Sequence, residues 1–235
     1  MVRLDRFLSE QANISRSQAK QMISRGKVTV NGVKVNVPEM KINETEDRVF
    51  LCAKHILYRQ YMYIMLNKPV GVVTAVRDEL SETVMELLPP ELKRRKLFPA
   101  GRLDKDTEGF VFITDDGDLA HRMLSPKSHV EKEYIVTLEK PAEEFYEKAF
   151  AAGLEIDNKE LCLPAKILFT ETPYVVSLTL TEGKYHQVKR MMEAVGNKVV
   201  SLKRIRIGGI ALDENLAPGE CREILHKEIT SLYAN

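Results

Sequence analysis

The stretch Lys27–Val37, KVTVNGVKVNV, alternates valine with polar residues on both sides of Asn31-Gly32. Alternation with period two places side chains on opposite faces of a strand. Asn-Gly supplies the two positive-φ residues of a tight hairpin turn. The stretch therefore predicts a β-hairpin. A lone hairpin cannot hold itself together in water, so apolar partners must come from the flanking chain. Leu4, Phe7 and Leu8 stand at helical spacing, and Ala19, Met22 and Ile23 repeat the pattern. Ser15 and Gln18 have capping-box spacing, and Gly26 is the expected stop. The first segment thus predicts helix, helix, hairpin.

This segment is also basic. Residues 1–60 hold eleven Lys or Arg against six Asp or Glu, a net of +5; the remaining residues hold 24 against 28, a net of −4. A basic head on a slightly acidic body points to a module that meets a polyanion. Arg16 and Lys20 lie one turn apart on the second helix, and Arg3, Arg6, Arg25, Lys27 and Lys34 add charge nearby. The helix start at Ser15 and Ser17 can meet a phosphate through free backbone N–H groups. The arrangement, over about residues 2–50, resembles the small RNA-binding domain named after ribosomal small-subunit protein four. That resemblance implies docking on folded RNA. The domain boundary is expected near Tyr58–Tyr61, giving residues 1–59 and 60–235.

The larger part alternates strands and helices. YMYIMLNKPVGVV reads as strand, turn, strand; SETVMELLPPEL as a short helix ended by Pro89-Pro90; GFVFITDDGDLAHRML as buried strand, turn and helix. KEYIVTL and YVVSLTLTEG read as strands; PAEEFYEKAFAAG and YHQVKRMMEAVG read as helices closed by glycine. Neither GxGxxG nor GxxxxGK[ST] occurs. The reading is α+β with a mixed, mainly antiparallel sheet flanked by helices.

Cys52, Cys162 and Cys221 are far apart and suit a reducing cytoplasm rather than a disulfide scaffold. The charged start MVRLDRFLSE does not read as a signal peptide, and no apolar run is long enough to span a membrane. The five histidines show no ligand spacing.

One cluster invites chemistry. GRLDKDTEG places Asp104, Asp106 and Glu108 at alternate positions before Gly109, and DKDTEGFVFITD mimics the outline of a calcium loop. Pro99 and Gly101 deny it the preceding helix, and FVFIT prefers a strand to the following one. A second reading rests on Arg102 and Asp104. They follow a Pro-Ala-Gly turn and precede a buried strand, which is how a catalytic carboxylate is held by a rigid scaffold.

GRLDKDTEGFVFITDDGDLAHR, with KEY at Lys132–Tyr134, EGKYHQVKRM at Glu182–Met191, LNKPVG at Leu66–Gly71 and RIGGIALDENLAPGECRE at Arg206–Glu223, resembles the pseudouridine synthases of the RsuA/RluB/E/F family. The motifs run in family order over nearly the whole chain. The resemblance implies a cofactor-free isomerase that detaches a uridine's base, turns it and rejoins it through carbon. It implies Asp104 as the essential carboxylate, Arg102 as the group that displaces the target nucleotide, and Tyr134 as the ring that stacks on the flipped base. Lys189, with Arg190 as alternate, falls where relatives carry the aspartate's basic partner. The remaining implications are no metal, ribosomal RNA as partner within a small-subunit assembly intermediate, a monomer, and no membrane. Tyr185-His186 points to the members acting on 16S rRNA. Asp106 and Glu108 read as turn and strand-entry residues, and His186 as a structural or RNA-facing contact.

Overall fold

The computed structural model describes residues 1–12, 14–90, 92 and 96–233. Two compact units emerge: Met1–Met62 with Pro89–Lys96, and Tyr63–Leu88 with Leu97–Asn235. The first division thus falls a few residues past the expected one.

In the smaller unit, α1 (Leu4–Gln11) and α2 (Arg16–Ser24) precede a sheet of β1 (Val28–Val30), β2 (Val33–Val35), β3 (Val49–Leu51) and β4 (Lys54–Ile56), in the order β2-β1-β3-β4. Ser15 accepts from the Gln18 backbone N–H while the Gln18 side chain accepts from the Ser15 N–H, closing the capping box. Asn31 and Gly32 both take positive φ, as the hairpin turn demands. Leu4, Phe7, Leu8, Ala19 and Ile23 pack on Val28, Val30 and Val49. Val33, on the edge strand, is left 67% exposed, and Val35 of that strand packs against this core only partly buried, so the inner strand of the hairpin supplies most of its contribution.

In the larger unit, β5 (Tyr63–Lys68), β6 (Glu108–Thr114), α3 (Gly117–Leu124), β7 (Lys132–Leu138), α4 (Phe145–Ala152), β8 (Lys166–Phe169), β9 (Val175–Leu180), α5 (Gln187–Ala194), β10 (Val199–Ile207) and β11 (Cys221–Glu223) follow in sequence. The main sheet runs β8-β9-β7-β10-β6-β5-β11. Its described pairings are antiparallel except that of β10 with β6. Phe110, Phe112, Leu119 and Met123 join Met65 and Ile207 in a core beneath this sheet. A mixed, mainly antiparallel α+β architecture is what the strand and helix periods predict.

Two expectations fail. Ser81–Pro90 contains turns, not a helix, and Val72–Val73 makes only an isolated bridge from Val73 to Thr83. Thr83 and Glu86 form a local turn, with the Thr83 N–H donating to the Glu86 carboxylate. Pro89-Pro90 then stops the helix before its nucleation cost is recovered. No described helix is long and apolar enough to cross a membrane.

Candidate active site

The segment Gly101–Thr107 is the loop entering β6, and its backbone is pinned from several directions. The Gly71 N–H donates to the Lys105 carbonyl at 2.7 Å. Thr74 Oγ1 donates to the Leu103 carbonyl at 2.8 Å and accepts from the Leu103 N–H at 3.2 Å. Lys68 is fully buried and aims Nζ at the carbonyls of Thr107 (2.6 Å), Pro69 (3.0 Å) and Lys105 (3.4 Å). Burial pushes Lys68 down to about 8, against the pull of the Asp106, Asp104 and Glu108 charges. The LNKPVG segment therefore braces the loop that carries Asp104.

Gly109 shows how closely that loop meets the sheet. It pairs with Arg204 across the parallel β6–β10 contact, with φ +101°, and a Cβ there would sit 2.2 Å from the Arg204 carbonyl oxygen. Only glycine fits this position.

Arg102, Asp104, Tyr134 and Lys189 line one cavity of about 490 Å³, together with His186, Lys132 and Arg204. Lys189, in the first turn of α5, donates to Asp104 Oδ2 at 3.2 Å and to Asp106 Oδ1 at 2.6 Å. Burial works against the Lys189 charge, but the hydrogen bonds it donates to Asp106 and Asp104, with their charges, prevail and raise its pKa. The same hydrogen bond from Lys189 lowers that of Asp106. His186 Nε2 lies 3.5 Å from Asp104 Oδ1, its ring stacked on Tyr185. His186 adopts a left-handed conformation at the start of α5, which turns the chain so that Lys189 faces the loop. Arg102 is exposed at the cavity and forms no ion pair among the described residues.

Arg190 is directed elsewhere. Successive helical residues diverge by about 100°, and Arg190 pairs with Asp157 and, at 2.7 Å, with Glu160. Asp106, read from sequence as a turn residue, does lie in a turn, and it also shares Lys189 with Asp104. The calcium-loop outline dissolves, because its second half is strand β6; among the described residues no cluster of His, Cys, Asp and Glu could hold a metal ion.

The floor of the cavity holds what sequence reasoning passed over. Lys132 and Tyr134 share one face of β7, and Arg204 of β10 is paired with Tyr134. Lys132 is 7% and Arg204 4% exposed. Burial, aided by the Arg204 charge, pushes Lys132 down to about 8. Arg204 donates through Nε to the Phe110 carbonyl at 2.8 Å, while its Nη2 is buried with no hydrogen-bond partner. The readable signal was the alternation of KEYIVTL, which puts Lys132 on the side of Val136 and Leu138.

In the smaller unit, the predicted RNA contacts separate into two groups. Arg3 and Arg16 converge on the buried Asp5, and Arg6 pairs with Glu10. Lys20, Arg25, Lys27 and Lys34 are exposed with no ion pair among the described residues.

Comparison with known proteins agrees with this geometry. The RNA pseudouridylate synthase family matches residues 62–194, and the S4 domain matches residues 2–49. The chain is 45% identical to ribosomal small subunit pseudouridine synthase A of Escherichia coli (strain K12) over 98% of its own length and 100% of that protein. It is 42% identical to an uncharacterized RNA pseudouridine synthase of Bacillus subtilis (strain 168), covering 97% of each. A crystal structure of a pseudouridylate synthase superposes with a TM-score of 0.69 at 42% identity, over 99% of this chain and 100% of that one. With the family's match covering Arg102, Asp104, Tyr134 and Lys189 of the cavity and the S4 match lying on the basic helices and hairpin, the chain belongs to the RNA pseudouridylate synthases, isomerases of uridine in RNA.

Proposed function

We propose that this protein converts one uridine of 16S ribosomal RNA to pseudouridine, with Asp104 as the essential carboxylate. The observation that carries the reading is the position of Asp104: on a braced loop, at a cavity, 3.2 Å from the Lys189 ammonium, with Arg102 and Tyr134 lining the same cavity. The small-subunit target is supported by the full-length likeness to the Escherichia coli enzyme.

Asp104 has to be ionised whether it attacks the sugar, attacks the base or takes a sugar proton. Lys189 and His186 approach its two oxygens separately, holding the carboxylate in one orientation. Arg102, exposed and free of ion pairs, is able to occupy the place of the displaced nucleotide. Tyr134 offers the base a ring face. Residues 1–59 dock the RNA through Lys20, Arg25, Lys27 and Lys34, with Arg3, Arg6 and Arg16 in supporting pairs. The protein works in the cytoplasm as a monomer on a small-subunit assembly intermediate, without cofactor.

The test has two arms. Asp104→Asn abolishes pseudouridine formation and keeps RNA affinity; activity at the wild-type level removes Asp104 from the chemistry. Pseudouridine mapping of ribosomal RNA from cells with and without the protein loses one small-subunit site. Loss of a large-subunit site alone overturns the target.

A further inference from the structure

The cavity contains an electrostatic arrangement that the Asp104–Lys189 pair does not explain. Lys132 and Arg204 are two like charges on its floor, each more than nine-tenths buried. No carboxylate neutralises either among the described residues. The anions that line the cavity are engaged elsewhere. Asp104 is held by Lys189, and Glu182 accepts from the Leu163 N–H and the Gln187 side chain. Burying a charge without a partner is costly, and two of one sign side by side is costlier. Arg204 Nη2 adds a buried donor with no acceptor.

We infer that Lys132 and Arg204 form an anion site that stabilises the negative charge of the detached base during the isomerisation. The inference rests on the reading of this cavity as the uridine site. When the bond from sugar C1′ to base N1 breaks, the bonding pair leaves with N1. The base then carries one negative charge, spread over N1 and the two carbonyl oxygens, while sugar C1′ is left electron-deficient beside the Asp104 carboxylate. Ring carbon C5 then bonds C1′, C5 gives its proton to solvent and N1 takes one up, so that no atom or electron is gained or lost. A preorganised cation in a water-poor site stabilises charge that develops only as the reaction proceeds. The floor suits a flat anion. Tyr134, paired with Arg204 across the strands and two residues from Lys132, presents an aromatic ring beside both charges.

The test uses full-length protein and free bases. The nitro group of 5-nitrouracil makes its ring N–H far more acidic than that of uracil, so near neutrality the first binds as an anion and the second as a neutral molecule. Titration calorimetry of wild type is expected to show at least tenfold tighter binding of 5-nitrouracil. In Lys132→Met the preference falls to less than threefold, and kcat falls at least tenfold with a smaller change in KM. Circular dichroism and Tm check that the variant folds; Lys132→Gln is the second variant, expected to show the same loss. A wild type with no preference for the ionised base overturns the inference, as does a variant that keeps it. Inorganic phosphate that binds wild type but not Lys132→Met, with the base preference intact, assigns the cations to a phosphate and also overturns it. Active Asp104→Asn refutes the reading of the site itself, whereas inactive Asp104→Asn with an unchanged base preference in Lys132→Met refutes only this inference.

Discussion

Lys189 reaches Asp104 at 3.2 Å from a helix 85 positions further along the chain. The pair joins the loop before β6 to the first turn of α5, and Lys189 is less exposed than either carboxylate it serves. Lys189→Met leaves Asp104 without its nearest cation and without a fixed orientation. Pseudouridine formation is expected to fall about a hundredfold, the scale of a misplaced reacting group. Lys189→Arg, which keeps the charge and can still bridge the carboxylates, is expected to recover most of it. Single-turnover assays on ribosomal RNA check both.

Asp106 makes the shorter bond to Lys189, 2.6 Å, yet its side chain is 68% exposed. An exposed ion pair contributes about 0–1 kcal/mol. Asp106→Asn should therefore leave Tm nearly unchanged and alter kcat less than about fivefold, while Asp104→Asn abolishes turnover. Equal loss in the two variants would make the carboxylates a joint catalytic unit.

Gly109 has both a forbidden φ for other residues and no room for a Cβ. Gly109→Ala is expected to cost about 3 kcal/mol or more, since the obstacle is backbone. Gly101 also has positive φ, but a Cβ there meets side chains rather than backbone, Leu124 at 3.1 Å and Arg204 Nη1 at 3.9 Å. Gly101→Ala is expected to cost about 1–2 kcal/mol. Urea denaturation curves of the two variants give the comparison.

The helices, caps, hairpin turn and the strand–turn–helix at Glu108–Leu124 were legible because periodicity and punctuation agree there. Val199–Ile207 was not recognised as a strand, because Arg204 occupies a buried position and breaks its apolar alternation. The same obstacle hid Lys68 and Lys132: composition places lysine in solvent, and only the folded sheet shows these on the inside. Arg102, Asp104, Tyr134 and Lys189 line one cavity, whereas Arg190 could not be separated from Lys189 without knowing where α5 faces.

Lys132 also predicts a pH effect. Its folded pKa of about 8 lies below the ordinary 10.5. Between those values the unfolded chain binds more protons, so wild type gains stability as pH rises. Lys132→Met lacks this gain. The variant should be the more stable at pH 7, with its lead over wild type shrinking by about 3 kcal/mol between pH 8 and 10.5. Denaturation of the two proteins side by side, reported as a difference, cancels the other titrating groups.

The proposed docking of RNA through the exposed cations of the smaller unit predicts a salt dependence of binding. Replacing Lys20, Arg25, Lys27 and Lys34 by Gln should weaken binding across RNA sequences. For every phosphate no longer neutralised, the slope of log affinity against log salt should become shallower by roughly 0.7–0.9. Arg6→Gln and Arg16→Gln should change it less, since Glu10 and Asp5 already neutralise those residues.

The parallel pairing of Gly109 with Arg204 also carries a consequence for synthesis. A chain made from its N-terminus presents Asp104 long before the strand that supports its loop has been translated. Lys189 and then Arg204 must both emerge before the carboxylate is oriented and the cavity has its floor. A nascent chain halted ahead of Arg204 can offer a folded basic head to RNA while the chemistry is still unassembled, so binding competence precedes catalytic competence during translation.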